Sequence, residues 1–218
     1  MRRPIITLTT DFGLSDYFAG AMKGVILGIC PQAEIVDICH EIAPFEIPEG
    51  AFVLAQSYRY FPPKTVHIVV VDPGVGTARR PILAEAARQY FLAPDNGVLS
   101  MVLAGEKHKV RAVTAEKYFL KQVSHTFHGR DVFAPVAAHL AKGTPAARFG
   151  KLVRDYLRSS FGQPTRTGKR IWTGNILKID RFGNLITNLH IDQFPTIRQR
   201  PFEMTVGPYR ISHLATTF

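Results

Sequence analysis

Three acidic residues stand directly after short apolar runs, a position in which carboxylates are candidates for binding or catalysis. They are Asp11, Asp72 and Asp180. In open α/β sheets, ligands bind in the crevice beyond the carboxyl ends of the strands. If each apolar run is a strand, each of these acids lies where a ligand is expected.

The most informative stretch is T-V-H-I-V-V-V-D-P-G-V-G-T-A-R-R, Thr65–Arg80. Its β-branched part, residues 66–71, is too short for a helix and is typical of a strand buried on both faces. Asp72 ends this run at a Pro-Gly turn, and Arg79 follows on the same loop. In the alternative interpretation, Asp72 only caps backbone N–H groups of the turn.

Two further loops carry groups that suit a nucleoside with a charged tail. Asp11, in T-D-F-G, suits a ribose because a carboxylate can accept two hydrogen bonds from a vicinal diol, and it equally suits a helix N-cap. Asp180, Phe182 and Asn184 lie within one stretch of five residues. Together they could hold an ammonium group, stack on a base and read its edge, or they could form an ordinary β-turn.

His128 is the residue that could complete a catalytic set with the Asp72 loop. It lies in T-F-H-G-R-D at the start of a predicted helix. The next residue, Gly129, would allow the backbone to approach a ligand closely. Asp72, Arg79 and His128 could together position and polarise one water. In the alternative interpretation, His128 is a structural histidine.

Metal binding has little support. The conceivable ligands are His40 with Glu41, and His125 with His128. Neither pair has the spacing of a known zinc motif, so we predict no metal. The sequence also lacks glycine-rich phosphate-binding loops and the G-x-S-x-G motif of serine hydrolases.

The order of the predicted elements favours an α/β fold. Alternating strands and helices are predicted at 5–8, 17–29, 34–38, 48–58 and 66–71, followed by shorter strands and helices at 82–86, 90–93, 98–103, 110–113 and 132–141. Strands that alternate with helices predict a mostly parallel central sheet flanked by helices. The composition becomes charged and polar after residue 150, as in a linker. We therefore predict a large α/β domain at 1–155, a linker at 156–168 and a small all-β, barrel-like domain at 169–218.

The formal charge of +10 points to nucleic acid as one class of partner. However, the basic residues are scattered, with local clusters at Lys107–Arg111, Arg148–Arg158 and Arg166–Arg170. None of these clusters is interleaved with aromatic residues on which bases could stack. We therefore predict a small-molecule substrate rather than nucleic acid.

Neither a membrane span nor a secretory signal is predicted. No apolar run approaches the roughly 20 residues that a spanning helix needs. The stretch Met1–Ile6 is basic and then apolar, but it lacks the length and the cleavage site of a signal peptide. We expect a cytoplasmic protein in which Cys30 and Cys39 remain reduced.

Five short motifs, taken in order over nearly the whole chain, resemble those of the S-adenosyl-L-methionine hydroxide adenosyltransferases, relatives of the fluorinase and chlorinase enzymes. They are T-D-F-G at 10–13, D-P-G-V-G-x-x-R at 72–79, P-D-N-G at 94–97, T-F-H-G-R-D at 126–131 and D-x-F-G-N-x-x-T-N at 180–188. The resemblance implies hydrolysis of S-adenosyl-L-methionine, as substrate and without a cofactor, to adenosine and methionine. It also implies a homotrimer, with sites between the large domain of one subunit and the small domain of the next.

The resemblance implies roles for individual residues. Asp72, Arg79 and His128 match the set that activates the water, and Arg79 is preferred to the adjacent Arg80 by spacing alone. The positions that match substrate-binding residues are Asp11 for the ribose diol, Phe45 for a wall of the pocket, Asp180 for the methionine ammonium, Phe182 for packing on the adenine and Asn184 for reading it.

The nearest alternative activity is halogenation. At the matched positions, the fluorinase pattern resembles Tyr in place of Asp72, Tyr-Ser in place of His128-Gly129 and Trp in place of Phe45. A carboxylate that faces a halide is electrostatically unfavourable, so water is the better nucleophile for this sequence. A second alternative is a protein that binds adenosine or S-adenosyl-L-methionine without turnover.

The family pattern usually continues past the equivalent of Phe218 into a further β segment. We therefore expect an incomplete small domain, with no residue assigned to the methionine carboxylate.

Overall fold

The computed structural model describes residues 3–215. The last three residues of the predicted small domain, 216–218, and the first two of the chain lie outside the described residues. The chain divides between Gly162 and Gln163 into two compact units. Within residues 3–215, no helix is both long and apolar enough to cross a bilayer.

The first unit is built on a seven-stranded sheet. Its strands are β1 Ile5–Thr10, β2 Glu34–Cys39, β3 Val66–Val70, β4 Pro81–Ala86, β5 Gln89–Pro94, β6 His108–Ala112 and β7 Leu152–Val153. They lie in the order β2-β1-β3-β5-β4-β6-β7. The first four strands of that order are parallel, as predicted for a mixed α/β fold.

The other half of the sheet is antiparallel, which the sequence analysis did not predict. β4 runs antiparallel to both β5 and β6, and β6 to β7. The connection from β4 to β5 is only Ala87 and Arg88, and a loop of two residues can join only antiparallel strands. Both residues have positive φ, +49° and +61°, as a tight hairpin turn requires.

Four helices cover the two faces of this sheet. They are α1 Phe18–Ile29, α2 Ile47–Ser57, α3 Ser100–Ala104 and α4 Ala134–Ala141. The central strand β3 is buried along its whole length, as predicted, because it contributes to both cores. Ile68 joins the core beneath α1 and α4, and Val69 joins the core beneath α2 and α3.

The direction in which the strands are added reverses between β1 and β3, where a crevice is expected. The chain leaves β1 through α1 to β2 on one side, and then returns through α2 to β3 on the other side. Such a reversal of strand order is where open α/β sheets bind ligands. Thr10 pairs with Val70 in the register of these strands. Asp11 and Asp72, which follow shortly after, therefore lie on neighbouring loops.

Within residues 163–215, the second unit contains short strands and one helical turn. Its strands are β8 Thr165–Arg166, β9 Trp172–Thr173, β10 Ile176–Ile179, β11 Leu185–Thr187, β12 Met204–Val206 and β13 Tyr209–Ile211. They form three separate antiparallel pairs. The prediction of small C-terminal β structure is correct, but no closed barrel forms among residues 163–215. Each of these strands pairs with only one neighbour, whereas a closed barrel pairs every strand on both sides.

Part of the predicted linker packs on the first unit. The backbone N–H of Leu157 donates to Asp95 at 2.8 Å, and that of Ser159 donates to Ser100 Oγ at 2.9 Å. Tyr156 is buried, and its hydroxyl lies 2.7 Å from His108 Nε2. Polar composition suggested a linker here, but residues 156–162 belong to the first unit and bind to the loop after β5, to α3 and to β6.

Candidate active site

Asp72, Arg79 and His128 meet beyond the carboxyl end of β3. Arg79 Nε donates to Asp72 Oδ1 at 3.1 Å, and Arg79 Nη2 contacts Asp72 Oδ2. The same Nη2 lies 3.2 Å from His128 Nδ1. The planar guanidinium of Arg79 thus binds both carboxylate oxygens of Asp72 and also contacts the imidazole of His128. The structure brings together the three residues that the sequence placed in one set.

Asn96 braces the start of the loop that carries Asp72. Its Nδ2 donates to the carbonyl oxygen of Val71 at 2.8 Å, and its Oδ1 accepts the N–H of Val98 at 3.2 Å. P-D-N-G was noted in the sequence only as a family motif, and this contact of Asn96 was not predicted. The available signal was an asparagine in a motif at the end of a neighbouring strand.

Gly76 allows the Asp72 loop to lie against the segment that precedes His128. Its φ is +77°, and a Cβ atom built on it would lie 2.2 Å from the carbonyl oxygen of His125. Only glycine avoids both the strain and the clash. The close approach of the two loops helps to bring Arg79 within reach of His128.

The Asp72–Arg79 pair is almost completely removed from solvent. The exposed fraction of the side chain is 5% for Asp72 and 6% for Arg79. Burial raises the pKa of Asp72, and the charge and hydrogen bonds of Arg79 oppose this rise without cancelling it. Burial lowers the pKa of Arg79, yet a guanidinium remains protonated near neutral pH. The result is a buried ion pair whose carboxylate binds a proton more readily than a free aspartate.

His128 carries its hydrogen on Nε2, the ring nitrogen that does not contact Arg79. Burial lowers the pKa of His128, and the adjacent charge of Arg79 lowers it further, so the ring is neutral near pH 7. A guanidinium can only donate, so His128 Nδ1 must accept from Arg79. The hydrogen of the neutral ring is then on Nε2, which makes that atom a donor.

Asp11 lies on the neighbouring loop and binds the backbone of Phe45. Its Oδ2 accepts the Phe45 N–H at 2.9 Å. The alternative of a helix N-cap is wrong, because α1 begins at Phe18 and no side chain caps it. Burial raises the pKa of Asp11, the Phe45 N–H opposes this rise, and the charge of Asp72 adds to it. The two carboxylates are thus close enough to repel each other.

Phe45 is held in an uncommon backbone conformation with its ring toward solvent. Its φ is +67°, and 66% of its surface is exposed. A bulky residue at positive φ costs free energy and tends to occur at functional positions. Together with the Asp11 contact, this conformation supports Phe45 as part of a binding surface.

An aromatic cluster joins the Asp11 loop to the His128 segment. The Phe127 ring packs edge-on against Phe12 and Phe18, with centroids 5.8 and 5.1 Å away. A Cβ atom on Gly129 would lie 3.2 Å from Met22 and 3.3 Å from Phe12. Core side chains therefore fill the space on the Cβ side of Gly129, so packing by itself accounts for a glycine here, and close approach of a ligand to its backbone stays a prediction.

Comparisons with known proteins agree with these observations. Residues 6–150 match the model of the SAM hydroxide adenosyltransferase N-terminal domain. The chain belongs to the SAM hydroxide adenosyltransferase family. It is 42% identical to the (R)-S-adenosyl-L-methionine hydrolase of Salinispora arenicola over 84% of this chain and 70% of that protein. It is 38% identical to that of Salinispora tropica over 98% of this chain and 87% of that protein.

A solved structure and a fluorinase also resemble this chain. A crystal structure of an uncharacterized conserved protein from Thermotoga maritima has a TM-score of 0.84 and 39% identity, and covers 94% of this chain and 80% of that chain. The fluorinase of Nocardia brasiliensis is more distant, with 30% identity over 87% of this chain and 72% of that protein.

The structure separates the two adjacent arginines of this SAM hydroxide adenosyltransferase family member. Arg80 turns away from Asp72 and donates to Asp95 Oδ2 through Nε at 3.1 Å and Nη2 at 2.7 Å. Its Nη1 also lies 3.1 Å from Asp155 Oδ2. Arg79 is therefore the arginine that faces the candidate site, and Arg80 ties the loop to the rest of the first unit.

Asp180, Phe182 and Asn184 lie in the second unit of this family member, on the hairpin between β10 and β11. Asp180 accepts hydrogen bonds from the N–H groups of Phe182 and Asn184 and from Asn184 Nδ2, at 2.8–2.9 Å. These bonds, led by that of the Asn184 side chain, lower the pKa of Asp180. Phe182 is 89% exposed. The β-turn interpretation accounts for the Asp180 contacts within this unit.

The possible metal ligands point elsewhere. No group of three or more His, Cys, Asp and Glu residues within residues 3–215 is arranged to hold a metal ion. His128 Nδ1 faces the cationic guanidinium of Arg79, which would repel a metal at that nitrogen. His40 contacts Thr10 and Asp37 instead of joining Glu41.

Proposed function

We propose that this protein hydrolyses S-adenosyl-L-methionine to adenosine and L-methionine. The observation that carries the proposal is the buried contact of Asp72 and Arg79 with His128 in the crevice between β1 and β3. Relatives that cover most of this chain bear the name of that activity. The substrate supplies the leaving group, so we propose no cofactor.

In the proposed mechanism, Asp72 accepts a proton from the attacking water. Its raised pKa makes it a better base than a free aspartate would be, and His128 offers a hydrogen rather than a lone pair. The water oxygen forms a bond to the ribose C5′ carbon while the C5′–sulfur bond breaks. Methionine leaves as a neutral thioether, and the proton on Asp72 is later lost to solvent.

Arg79 and His128 position the nucleophile in this proposal. Arg79 Nη1 is buried and makes no hydrogen bond within the described residues, so it can donate to the water oxygen together with His128 Nε2. A sulfonium cation and a hydroxide-like nucleophile neutralise each other in the transition state, so a site that excludes bulk water favours the reaction. In-line positioning of the water lowers the barrier further.

We also propose the substrate contacts that the family resemblance implies. Asp11 binds the ribose diol, and Phe45 forms a wall of the pocket beside it. Asp180 holds the methionine ammonium. Phe182 and Asn184 contact the adenine.

We propose a homotrimer with sites at subunit interfaces. The exposure of the Phe45 ring supports this, because a large aromatic surface beside a polar site favours coverage by another chain. Light scattering that gives the mass of one chain would contradict the trimer.

Halide transfer fits this site poorly. In this proposal the Asp72 carboxylate faces the nucleophile, and it would repel a chloride or fluoride ion in place of water. A protein that only binds the nucleoside has no need for a buried ion pair beside a histidine, since maintaining such a pair is costly.

The test is to incubate the purified protein with S-adenosyl-L-methionine in halide-free buffer. Equal amounts of adenosine and methionine should form. Asp72→Asn, which keeps the shape and removes the charge, should lower turnover by about 10²–10⁴-fold with little change in substrate affinity. Wild-type turnover in this variant would remove Asp72 from the mechanism. Tight binding without product over hours would favour the binding protein, and a halogenated nucleoside in the presence of chloride would favour the halogenase.

A further inference from the structure

His40 is a buried histidine outside the catalytic set, and its side chain links β1 to β2. It is 3% exposed. Its Nδ1 lies 2.7 Å from Thr10 Oγ1, and its Nε2 lies 3.0 Å from Asp37 Oδ1. Thr10 is the last residue of β1, directly before Asp11. His40 thus contacts the strand end that carries the proposed ribose-binding carboxylate.

The partners of the ring determine the direction of its hydrogen bonds. A carboxylate can only accept, so the ring tautomer with its hydrogen on Nε2 suits the position of Asp37 Oδ1, which lies 3.0 Å from that nitrogen. His40 Nδ1 then accepts the hydrogen of the Thr10 hydroxyl. The lone pairs of that hydroxyl remain available, and one accepts the N–H of Phe12 at 3.3 Å. The orientation of the His40 ring therefore helps to fix, through the Thr10 hydroxyl, the backbone of Phe12, the residue that follows Asp11.

The backbone of His40 provides a second anchor to the same loop. Its carbonyl oxygen accepts the N–H of Gly13 at 2.8 Å. Gly13 has a φ of +67°, so the chain turns sharply just after Asp11. One residue therefore holds the chain both immediately before Asp11, through Thr10, and two residues after it.

The loop that starts at His40 ends at the other proposed binding residue. Five residues further on, Phe45 donates its N–H to Asp11 Oδ2 at 2.9 Å. Asp11 and Phe45 hence depend on each other, and His40 connects the loops on which they lie. On the outer side, Lys23 of α1 lies 2.5 Å from Asp37 and fixes the carboxylate that orients His40.

We propose that His40 is a positioning residue, which sets the Asp11 carboxylate and the Phe45 backbone for binding the nucleoside part of the substrate. It does not touch the reacting atoms. The proposal rests on the function given above, in which Asp11 binds the ribose. It adds a residue that sequence reasoning considered only as a metal ligand.

Two amide substitutions test the two ring nitrogens of His40 separately. Asn places its amide near the position of Nδ1 and can keep the contact with Thr10, whereas Gln places its amide near the position of Nε2 and keeps only the contact with Asp37. His40→Gln should raise the KM for S-adenosyl-L-methionine and the Kd for adenosine about tenfold. His40→Asn should stay within about threefold of wild type, and kcat should change little in both because binding rather than chemistry is affected.

Thr10→Val tests the same contact with a substitution of nearly equal shape. It should reproduce the tenfold effect of His40→Gln, and the double variant should be no worse than either single one, since both remove one hydrogen bond. Thr7→Val is the matched control. Thr7 lies in the same strand, is equally buried, and its hydroxyl lies 2.7 Å from His67 Nδ1. It should lower the melting temperature without changing KM.

The outcomes distinguish this proposal from the function on which it rests. If the wild-type protein neither releases nor binds adenosine, the function is wrong and the proposal fails with it. On an active enzyme, an unchanged KM in His40→Gln and Thr10→Val overturns the positioning role alone. An equal rise in KM in His40→Asn and His40→Gln, or a raised KM in Thr7→Val, would show that the sheet is loosened in general. Either result would also overturn the positioning role of His40.

Discussion

Replacing Arg79 by glutamine, with Arg80→Gln as its neighbouring control, tests the central contact of the site. The side chains of Arg79 and Asp72 are 6% and 5% exposed. Without Arg79, a buried carboxylate loses its counter-ion, and breaking such a pair costs about 3–5 kcal/mol. For a chain of this size, that loss lowers the melting temperature by about 6–20 °C.

Arg80→Gln should be much milder. Arg80 is 36% exposed, so water can replace its guanidinium, and Asp95 keeps the hydrogen bond from the Leu157 N–H. Exposed ion pairs contribute at most about 1 kcal/mol each. The two pairs of Arg80 together contribute at most about 2 kcal/mol, so we expect a fall in melting temperature of no more than about 4–8 °C, and kcat/KM within about threefold of wild type.

The activity of Arg79→Gln should also depend differently on pH. The charge and hydrogen bonds of Arg79 are what oppose the effect of burial on Asp72, so their loss raises the pKa of Asp72 further. A base is active when deprotonated, so the rising limb of the pH–rate profile should move to higher pH. At neutral pH, kcat/KM should fall about 10²-fold through lost orientation alone.

The assay is adenosine release across the pH range, together with calorimetric melting of both variants. An Arg79→Gln variant that keeps the wild-type melting temperature and pH profile would refute the reasoning. An Arg80→Gln variant with the same fall in melting temperature and kcat/KM as Arg79→Gln would also refute it, because the two arginines would then be equivalent.

Three further predictions address single positions. Asp11→Asn should weaken adenosine binding by roughly tenfold or more in calorimetry, because hydrogen bonds to a charged acceptor are lost. Gly76→Ala should lower kcat/KM in the adenosine-release assay, because its Cβ would lie 2.2 Å from the His125 carbonyl oxygen. Burial lowers the pKa of His67 from 6.5 to about 4, so the folded state loses stability as pH falls through that range. In urea titrations at pH 7 and 4.5, the free energy of unfolding of His67→Gln should fall by about 2 kcal/mol less than that of wild type between the two pH values.

Each of these predictions has a matched control in the chain. Asp16→Asn removes an exposed acid near Asp11 and should leave adenosine affinity unchanged; equal weakening would contradict the role of Asp11. Gly74→Ala meets only ordinary contacts of 3.5 Å or more, so it should affect activity less than Gly76→Ala. His213→Gln alters an exposed histidine and should keep the wild-type dependence of stability on pH, whereas the same dependence in His67→Gln would contradict the burial argument.

Much of the fold could be predicted because local patterns and connection lengths specify it. The β-branched run that became β3 has no polar face, so it must be buried on both sides. Up to β3, strands alternate with helices along the chain. Each strand is then joined to the next by a crossover helix, and strands that are joined in this way run parallel. The antiparallel edge depends instead on the tight turn at Ala87–Arg88, where neither residue is the Asn or Gly that usually marks such a turn. The missing barrel depends on how short strands pair, which no local pattern reveals.

The sequence by itself determined which chemical groups are present and which of them follow strands. Asp72, Arg79 and His128 could be named from residue type, motif and order alone. Only the tertiary structure decided between Arg79 and Arg80, which have the same chemistry and adjacent positions but point to Asp72 and to Asp95. It also decided that Asp11 binds the Phe45 backbone and that His40 contacts Thr10. The direction of a side chain depends on packing between distant segments, and that information lies in the folded chain rather than in local spacing.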